Sequence, residues 1–240
     1  MSDAARLPFD WSRVDLAVFD VDGTLYDQRR LRLAMLGRLA AHAWRTRSLE
    51  TLRLLRTFRR VREALADQPG ADFMQLQYSE TARRHGCPPE QVQALVAQWM
   101  ETAPLPLLAD CRYAGLPQLF AALRAAGKRI GVLSDYPATA KLAALGLECD
   151  LVVSACDDDI GCLKPDPRGL LALLRRAGVP PERAVMIGDR FERDAEVARR
   201  AGVPALIRSG ASRPGVITFR RYDDPLFQPL LTPAAVPAAA

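Results

Sequence analysis

Apolar and polar positions form two different patterns along the chain. Residues 14–19 form a short apolar run that ends at the acidic and glycine-containing segment Asp20-Val-Asp22-Gly23-Thr24. A buried strand that stops abruptly at such residues is typical of the carboxyl edge of a parallel sheet. From about residue 30 to residue 100, apolar positions instead recur at helical spacing, which predicts a run of helices.

Beyond Pro104 and Pro106 the pattern predicts alternating helices and strands. The predicted strands cover 129–134, 151–154, 184–188, 204–208 and 216–219. The predicted helices cover 114–126, 137–145, 167–177 and 191–201. Such alternation is typical of a parallel sheet flanked by helices. We therefore expect an α/β fold: a three-layer α/β/α, Rossmann-like core over 1–27 and 104–224, with an all-helical cap inserted over 28–103.

Composition narrows the class of protein. The chain has 240 residues, 49% hydrophobic and 25% charged, which fits a globular protein. No apolar run approaches the ~18 residues that cross a membrane, and the first residues lack the apolar core of a signal peptide. Five cysteines without a CxxC pair give no zinc or disulfide pattern. We expect a cytoplasmic protein whose Pro/Ala-rich tail, residues 225–240, is poorly ordered.

The positive charge is concentrated in one segment. The net charge is +5, and residues 28–66 hold eleven arginines against two acids, Glu50 and Glu63. Few aromatic residues lie among these arginines, so the pattern does not favour single-stranded nucleic acid. Peripheral docking on anionic lipid stays open, because a helix rich in arginine, leucine and tryptophan can lie on such a surface. Most of these arginines are expected to be solvated.

Four groups of reactive residue types fall at the ends of predicted strands or in the loops that follow them. They are Asp20-x-Asp22, Ser134-Asp135, Lys164-Pro165-Asp166, and Gly188-Asp189 with Asp194 five residues later. Converging carboxylates suit Mg²⁺, which usually shares its shell with a substrate phosphate. A lysine and a hydroxyl supply the charge and the hydrogen-bond donor that a phosphoryl group requires. Gly23 permits a sharp turn that brings backbone N–H groups towards an anion.

In order and spacing, these motifs from Val14 to Ile207 resemble the haloacid dehalogenase superfamily. The helical insertion resembles the C1 cap of its phosphoglycolate-phosphatase-like branch. The resemblance implies a Rossmann-like core, a mobile cap, Mg²⁺ dependence and an aspartyl-phosphate intermediate. Asp20 matches the nucleophile, and Asp22 matches the general acid–base residue.

The same resemblance assigns the remaining site residues. Asp20, Asp189 and the backbone carbonyl of Asp22 match the Mg²⁺ ligands, and Asp194 supports the metal or the lysine. Lys164 matches the cation that neutralises the nucleophile and the phosphate. The residues placed around the phosphate with Lys164 are Gly23, Thr24, Ser134 and Asp135. The detailed roles of Asp135 and Tyr136 stay open.

Phosphate monoester hydrolysis, with a small phosphorylated metabolite as substrate and no nucleic acid, is the reaction that these residues favour. Asp22 argues against a dehalogenase, which needs no acid there, and the absence of lysine from 28–110 argues against an imine-forming phosphonatase. A sugar-phosphate mutase stays open, because its core motifs are the same. A non-catalytic module that binds a phosphorylated ligand is disfavoured by the presence of Asp20, Lys164 and Asp189.

Overall fold

A single parallel sheet forms the centre of the computed structural model, which describes residues 9–68 and 72–232. Its strands are β1 Leu16–Phe19, β2 Arg129–Ser134, β3 Leu151–Ser154, β4 Ala184–Gly188, β5 Ala205–Arg208 and β6 Ile217–Phe219. They lie in the order β3-β2-β1-β4-β5-β6 and run in one direction. All six strands were predicted. The central strand β1 therefore has β2 and β4 as its neighbours.

Both faces of the sheet are buried, because alternate strand residues point to opposite sides. Ala17 and Phe19 join one apolar cluster, whereas Leu16 and Val18 join another on the opposite face. Strands buried on both faces are continuous apolar runs, as in β1. The predicted three-layer α/β/α core is thus confirmed.

The segment between β1 and β2 begins with a helical hairpin. The helices that were expected in the cap are α1 Gln28–Thr46, α2 Glu50–Leu65, α3 Phe73–His85 and α4 Pro89–Val96, the last continuing as a π-helical turn over Ala97–Thr102. Asp27 caps α1 by accepting hydrogen bonds from the N–H groups of Arg29 and Arg30. Residues 69–71 lie outside the described part of the chain, and the domain boundaries at 28 and 103 stay predictions.

Six further helices follow in the described part of the chain, and two of them, α5 and α10, were not predicted. They are α5 Leu105–Cys111, α6 Leu116–Ala125, α7 Thr139–Leu145, α8 Arg168–Ala177, α9 Glu196–Ala201 and α10 Gln228–Leu231. In the sequence, Pro104 and Pro106 marked the point after which the pattern changes. They occupy the N-cap and first turn of α5, where no backbone N–H donor is needed.

The expectation of a poorly ordered tail is wrong for residues 225–232. A 3₁₀ turn at Pro225–Phe227 leads into α10, and Phe227 is fully buried. The indole of Trp11 donates a hydrogen bond of 2.8 Å to the carbonyl of Leu226. The aromatic side chain thus anchors a segment whose prolines suggested disorder. Residues 233–240 lie outside the described part of the chain, and no helix that is described has the length and hydropathy to cross a membrane.

Candidate active site

The carboxyl ends of β1, β2 and β4 lie side by side at one edge of the sheet. Parallel pairing aligns Phe19 of β1 with Val132 of β2 and Ile187 of β4. The predicted motifs that follow these strands are therefore brought together, as expected for a parallel sheet. Above this edge lies a cavity of about 510 Å³, whose lining includes Asp20, Asp22, Asp135, Lys164, Asp189 and Asp194.

Asp20 and Lys164 form a buried ion pair at the base of this cavity. Lys164 Nζ lies 2.5 Å from Asp20 Oδ1 and 2.6 Å from Asp194 Oδ1. The other oxygen of Asp20 accepts a hydrogen bond of 2.9 Å from the hydroxyl of Thr24. Asp194 Oδ2 accepts backbone hydrogen bonds from Asp189 (3.0 Å) and Arg190 (2.9 Å). Asp194 therefore holds Lys164 against Asp20 and also fixes the backbone at Asp189.

Three carboxylates lie around one ammonium group here: Asp20 and Asp194 are buried, and Asp189 is partly buried. When all three are ionised, the cluster has an excess of two negative charges. Burial raises the pKa of Asp20; Lys164 opposes the shift, and Asp194 and Asp189 add to it. Burial, together with Asp194, raises the pKa of Asp189 to about 7. Burial alone would lower the pKa of Lys164, but Asp194 and Asp20 raise it well above its ordinary value. Either a proton or a bound cation would therefore relieve the negative charge of this cluster.

The arrangement fits a divalent cation. One oxygen from each of Asp20, Asp189 and Asp194 lies within 4.8 Å of the others. Both oxygens of Asp194 already accept hydrogen bonds, whereas the buried Oδ1 of Asp189 has no partner among the described residues. Asp189 therefore offers an unpartnered side-chain oxygen, and Asp20, whose oxygens accept from Lys164 and Thr24, stays the other side-chain ligand predicted for Mg²⁺. Gly23 makes this approach possible, because a Cβ there would lie 2.2 Å from Asp189 Oδ2.

The carboxylate of Asp22 is turned away from this cluster and has two partners that the sequence did not indicate. Lys141 Nζ, from α7, lies 2.6 and 2.9 Å from its two oxygens, and the hydroxyl of Tyr26 donates to Oδ1. Burial alone would raise the pKa of Asp22, but the charge and hydrogen bond of Lys141, with that of Tyr26, lower it. The structure thus favours an ionised Asp22. Its backbone carbonyl stays the predicted metal ligand.

The residues predicted to surround the phosphate differ in their hydrogen-bond partners. Ser134, at the end of β2, is buried and accepts a hydrogen bond from the N–H of Tyr136 (3.2 Å), which leaves its own hydroxyl hydrogen for an anion. Thr24 donates to Asp20, as described above. Asp135 Oδ1 accepts a hydrogen bond of 2.9 Å from the N–H of Lys164, so this carboxylate positions the lysine loop. The phosphate-binding roles of these residues stay predictions.

Two arginines connect α2 to the site and were not predicted. Arg62, in α2, donates to Gln77 and to the carbonyl of Asp135, and its guanidinium lies 4.2 Å from the ring centroid of Tyr136. Arg193 donates to the carbonyl of Lys164 (3.2 Å) and to Asp67 in the turn after α2 (2.8 Å). A run of eleven arginines gives no sequence signal for which one is buried.

Three other arginines of α1 and α2 face the cavity: Arg32, Arg56 and Arg59. Within residues 9–68 and 72–232, neither Arg56 nor Arg59 forms an ion pair or a side-chain hydrogen bond. The cavity therefore has a cationic stretch that the protein itself leaves uncompensated.

A family model for haloacid dehalogenase-like hydrolases matches residues 14–202. The chain belongs to this family. The predicted recognition and the expectation of a hydrolase are thereby confirmed. The match covers all four motifs, from Asp20 to Asp194, and also spans the helical insertion between β1 and β2.

Named relatives of this hydrolase include several phosphatases. The phosphoglycolate phosphatase of Rhodospirillum rubrum is 39% identical over 132 residues, which is 53% of this chain and 54% of that protein. The glyceraldehyde 3-phosphate phosphatase of Methanopyrus kandleri is 32% identical over 82% of this chain and 85% of its own length. This chain thus spans about half the length of the first relative and most of the second.

Solved structures share the fold. A 2-haloacid dehalogenase from Pseudomonas syringae pv. tomato superposes with a TM-score of 0.61 at 21% identity, covering 90% of this chain and 96% of that one. The predicted fold class, a Rossmann-like α/β core with a helical insertion, is confirmed by this likeness together with the sheet order.

Proposed function

We propose that this hydrolase is a Mg²⁺-dependent phosphatase that cleaves a small phosphate monoester through an aspartyl-phosphate on Asp20. The observation that carries the proposal is the arrangement around Asp20. Its carboxylate lies at the base of the cavity between Lys164 and Thr24, beside an Asp189 oxygen without a partner. The two phosphatase relatives described above support the same reaction class.

The chain's own residues account for both halves of this reaction. A carboxylate oxygen of Asp20 attacks phosphorus, the bond from phosphorus to the ester oxygen breaks, and Asp22 gives its proton to that leaving oxygen. Asp22 then takes a proton from a water molecule that attacks the same phosphorus atom, which releases Asp20 and inorganic phosphate. Lys164 and the Ser134 hydroxyl bind the phosphoryl oxygens. Mg²⁺, held by Asp20, Asp189 and the carbonyl of Asp22, supplies positive charge to the phosphoryl oxygens.

The side chains around Asp22 favour the second half of the reaction, in which water is activated, over the first half, in which the leaving oxygen is protonated. Lys141 and Tyr26 favour its ionised form, which is the form that accepts a proton from water. Protonation of the leaving oxygen requires Asp22 to gain a proton first. Esters whose leaving group is already a weak base, such as aryl phosphates, are therefore expected to react fastest.

Hydrolysis of p-nitrophenyl phosphate tests the proposal. We expect release of p-nitrophenol that requires Mg²⁺, is lost in excess chelator, and is abolished by Asp20→Asn, which removes the nucleophilic charge. Asp110→Asn, at an exposed position of α5, is the matched control and should retain full activity. Near-normal turnover by Asp20→Asn, or full activity in chelator, would refute the mechanism. Product analysis separates a phosphatase, which releases inorganic phosphate, from a mutase, which moves it within the substrate.

In this proposal the substrate is a phosphorylated metabolite. The protein lies in the cytoplasm, where such metabolites are made. Arg56 and Arg59 favour a second anionic group on the substrate, because a planar guanidinium pairs well with a carboxylate or phosphate. Screening phosphorylated metabolites in the presence of Mg²⁺ tests this preference directly.

Peripheral docking on anionic lipid is a second candidate, and a specific observation favours it. Trp44 is 84% exposed, and Leu33 and Leu49 are also exposed near the same hairpin, with Arg45 and Arg47 beside Trp44. Apolar side chains with flanking arginines suit the surface of an anionic membrane. Sedimentation with vesicles that contain phosphatidylserine tests this role, and Trp44→Ser should abolish binding without affecting hydrolysis of p-nitrophenyl phosphate.

A further inference from the structure

The cavity above Asp20 is much longer than a phosphoryl group requires. Its wall follows one face of α1, where Gln28, Leu31, Met35 and Leu39 recur at helical spacing. Eleven residues of α-helix span about 16 Å, so Leu39 lies far from the carboxylate cluster at the start of α1. Near the core this wall carries the polar residues Gln28 and Arg32, and beyond Arg32 its lining residues Met35, Leu36 and Leu39 are apolar.

Helix α2 forms the facing wall and runs in the opposite direction. Its carboxyl-terminal end lies on the core, because Arg193 donates to the carboxylate of Glu63 (3.1 Å). Its amino-terminal end lies beside the far end of α1, where His42 Nε2 is 3.2 Å from the Thr51 hydroxyl. From the core outward, the cavity-lining residues of α2 are Glu63, Arg59, Arg56, Leu55 and Leu52. Along α2, polar lining residues therefore give way to apolar ones with distance from Asp20.

The residues that follow α4 close the outer part of the cavity with further apolar surface. Trp99 and Met100 line it, and the ring centroid of Trp99 lies 4.9 Å from that of His42.

Two observations identify the chemical character of the group that would fill this outer part. Leu36 lines it and is 52% exposed, which leaves apolar surface uncovered inside a cleft. Glu101 also lines it and would repel an anion at this end. Anionic partners are therefore favoured only nearer the core, beside Arg56 and Arg59, and a neutral apolar group is favoured beyond them.

We propose that the outer part of the cavity binds an apolar tail of the substrate, so that the natural leaving group is an extended alkyl or aryl alcohol. This inference rests on the proposed phosphatase activity, since the phosphate ester must lie at Asp20. The apolar wall and the carboxylate cluster line the same cavity. A substrate whose phosphate lies at Asp20 can therefore extend along this wall, and we take the substrate itself as the occupant. Each methylene group that enters such a chamber improves binding by about threefold, from the transfer of apolar surface out of water.

A series of n-alkyl phosphates tests the inference. We would measure kcat/KM for ethyl, butyl, hexyl and octyl phosphate with Mg²⁺, below the concentrations at which micelles form. We expect kcat/KM to rise by about threefold for each methylene that the chamber accommodates. An ω-carboxyalkyl phosphate of the octyl length should lose this gain, because its charge meets the apolar wall and Glu101.

Variants on α1 provide the matched control. Leu36→Asn and Leu39→Asn, at cavity-lining positions, should each lower the octyl-to-ethyl ratio of kcat/KM by about tenfold. Leu33→Asn, on the same helix at a 72% exposed position that does not line the cavity, should leave the ratio unchanged. All three positions tolerate a polar side chain sterically, since none is fully buried.

The outcomes separate this inference from the proposed function. A flat kcat/KM across the series in an active enzyme overturns the apolar tail and leaves the phosphatase intact. An equal effect of Leu33→Asn also overturns it, because the gain then arises on the outer surface. If no phosphate monoester is hydrolysed, the proposed function fails, and calorimetry decides the inference: tighter binding of octylphosphonate than of ethylphosphonate supports the chamber, and equal affinity refutes it.

Discussion

Removing the ammonium group of Lys141 is the most informative single perturbation of this molecule. Lys141 and Asp22 form a close ion pair in which only 10% and 18% of the side chains are exposed. Lys141→Met keeps most of the aliphatic stem and removes the charge. The carboxylate of Asp22 would then be left with Tyr26 as its remaining side-chain partner.

The expected cost follows from the burial of the pair. Breaking a buried ion pair by removing one partner costs about 3–5 kcal/mol, because an uncompensated charge stays buried. The partial exposure of Asp22 places this case near the lower end, at about 3 kcal/mol. That is a large part of a total folding stability of about 5–15 kcal/mol. Adding Asp22→Asn removes the stranded charge, so the double variant should regain at least about half of the loss.

Urea unfolding followed by tryptophan fluorescence measures these free energies. Because Lys141 lowers the pKa of Asp22, the pair stabilises the fold above the ordinary carboxyl pKa, and this contribution is lost as the pH falls through the folded value. Without Lys141, burial raises that pKa, so Asp22 takes up a proton more readily. The difference between wild type and variant should therefore shrink as the pH is lowered from neutrality.

The control is an ion pair on the surface. Arg199→Met breaks the pair of Arg199 with Glu196 on α9, where the arginine is largely exposed, and should change stability far less than Lys141→Met. The reasoning is refuted if Lys141→Met is no more destabilising than this control, or if Asp22→Asn adds to the loss instead of relieving it.

Three further predictions concern the site and the cap. Asp22→Asn should lower turnover of alkyl phosphates by about 10²–10⁴, whereas p-nitrophenyl phosphate, whose leaving group needs no proton, should still give a rapid burst of nitrophenolate before slow turnover; absence of the burst in pre-steady-state kinetics would contradict the acid role. Gly23→Ala should raise the Mg²⁺ concentration needed for half-maximal activity, since its Cβ would lie 2.2 Å from Asp189 Oδ2 at a φ of +100°; an unchanged Mg²⁺ titration would refute this. Arg56→Gln and Arg59→Gln should raise KM for substrates with a second anionic group while p-nitrophenyl phosphate turnover stays intact, and the exposed Arg60→Gln, which does not line the cavity, is the control.

The fold was predictable because its signals are local. Apolar runs such as 184–188 identify strands, and the helical spacing of Leu31, Met35 and Leu39 identifies α1. The elements that were not predicted depend on packing between residues that are far apart in the sequence. Helix α5, with Pro104 at its N-cap, was not predicted, and the aromatic contact of Phe227 with Trp11 could not be predicted from a proline-rich tail.

The candidate site divides in the same way. Asp20, Ser134 and Asp189 follow directly from strand ends, because parallel strands bring their carboxyl ends to one edge. Lys141 belongs to the middle of α7 and reaches Asp22 across 119 positions of sequence. Its only sequence signal is that it is one of three lysines in a chain whose other basic residues are arginine. Residue type alone could not have shown which carboxylate it meets.

The two acids of the arginine-rich segment, residues 28–66, do not balance its positive charge. Glu50 lies against His85, and Glu63 is paired with Arg190 and Arg193, so both acids of residues 28–66 already have partners. Among the ion pairs of the described residues, none joins an arginine of this segment to a carboxylate. The positive charge is therefore uncompensated beside a cavity whose base is acidic. Such a field attracts an anionic substrate towards the cleft, and a neutral tail can then occupy the apolar wall beyond.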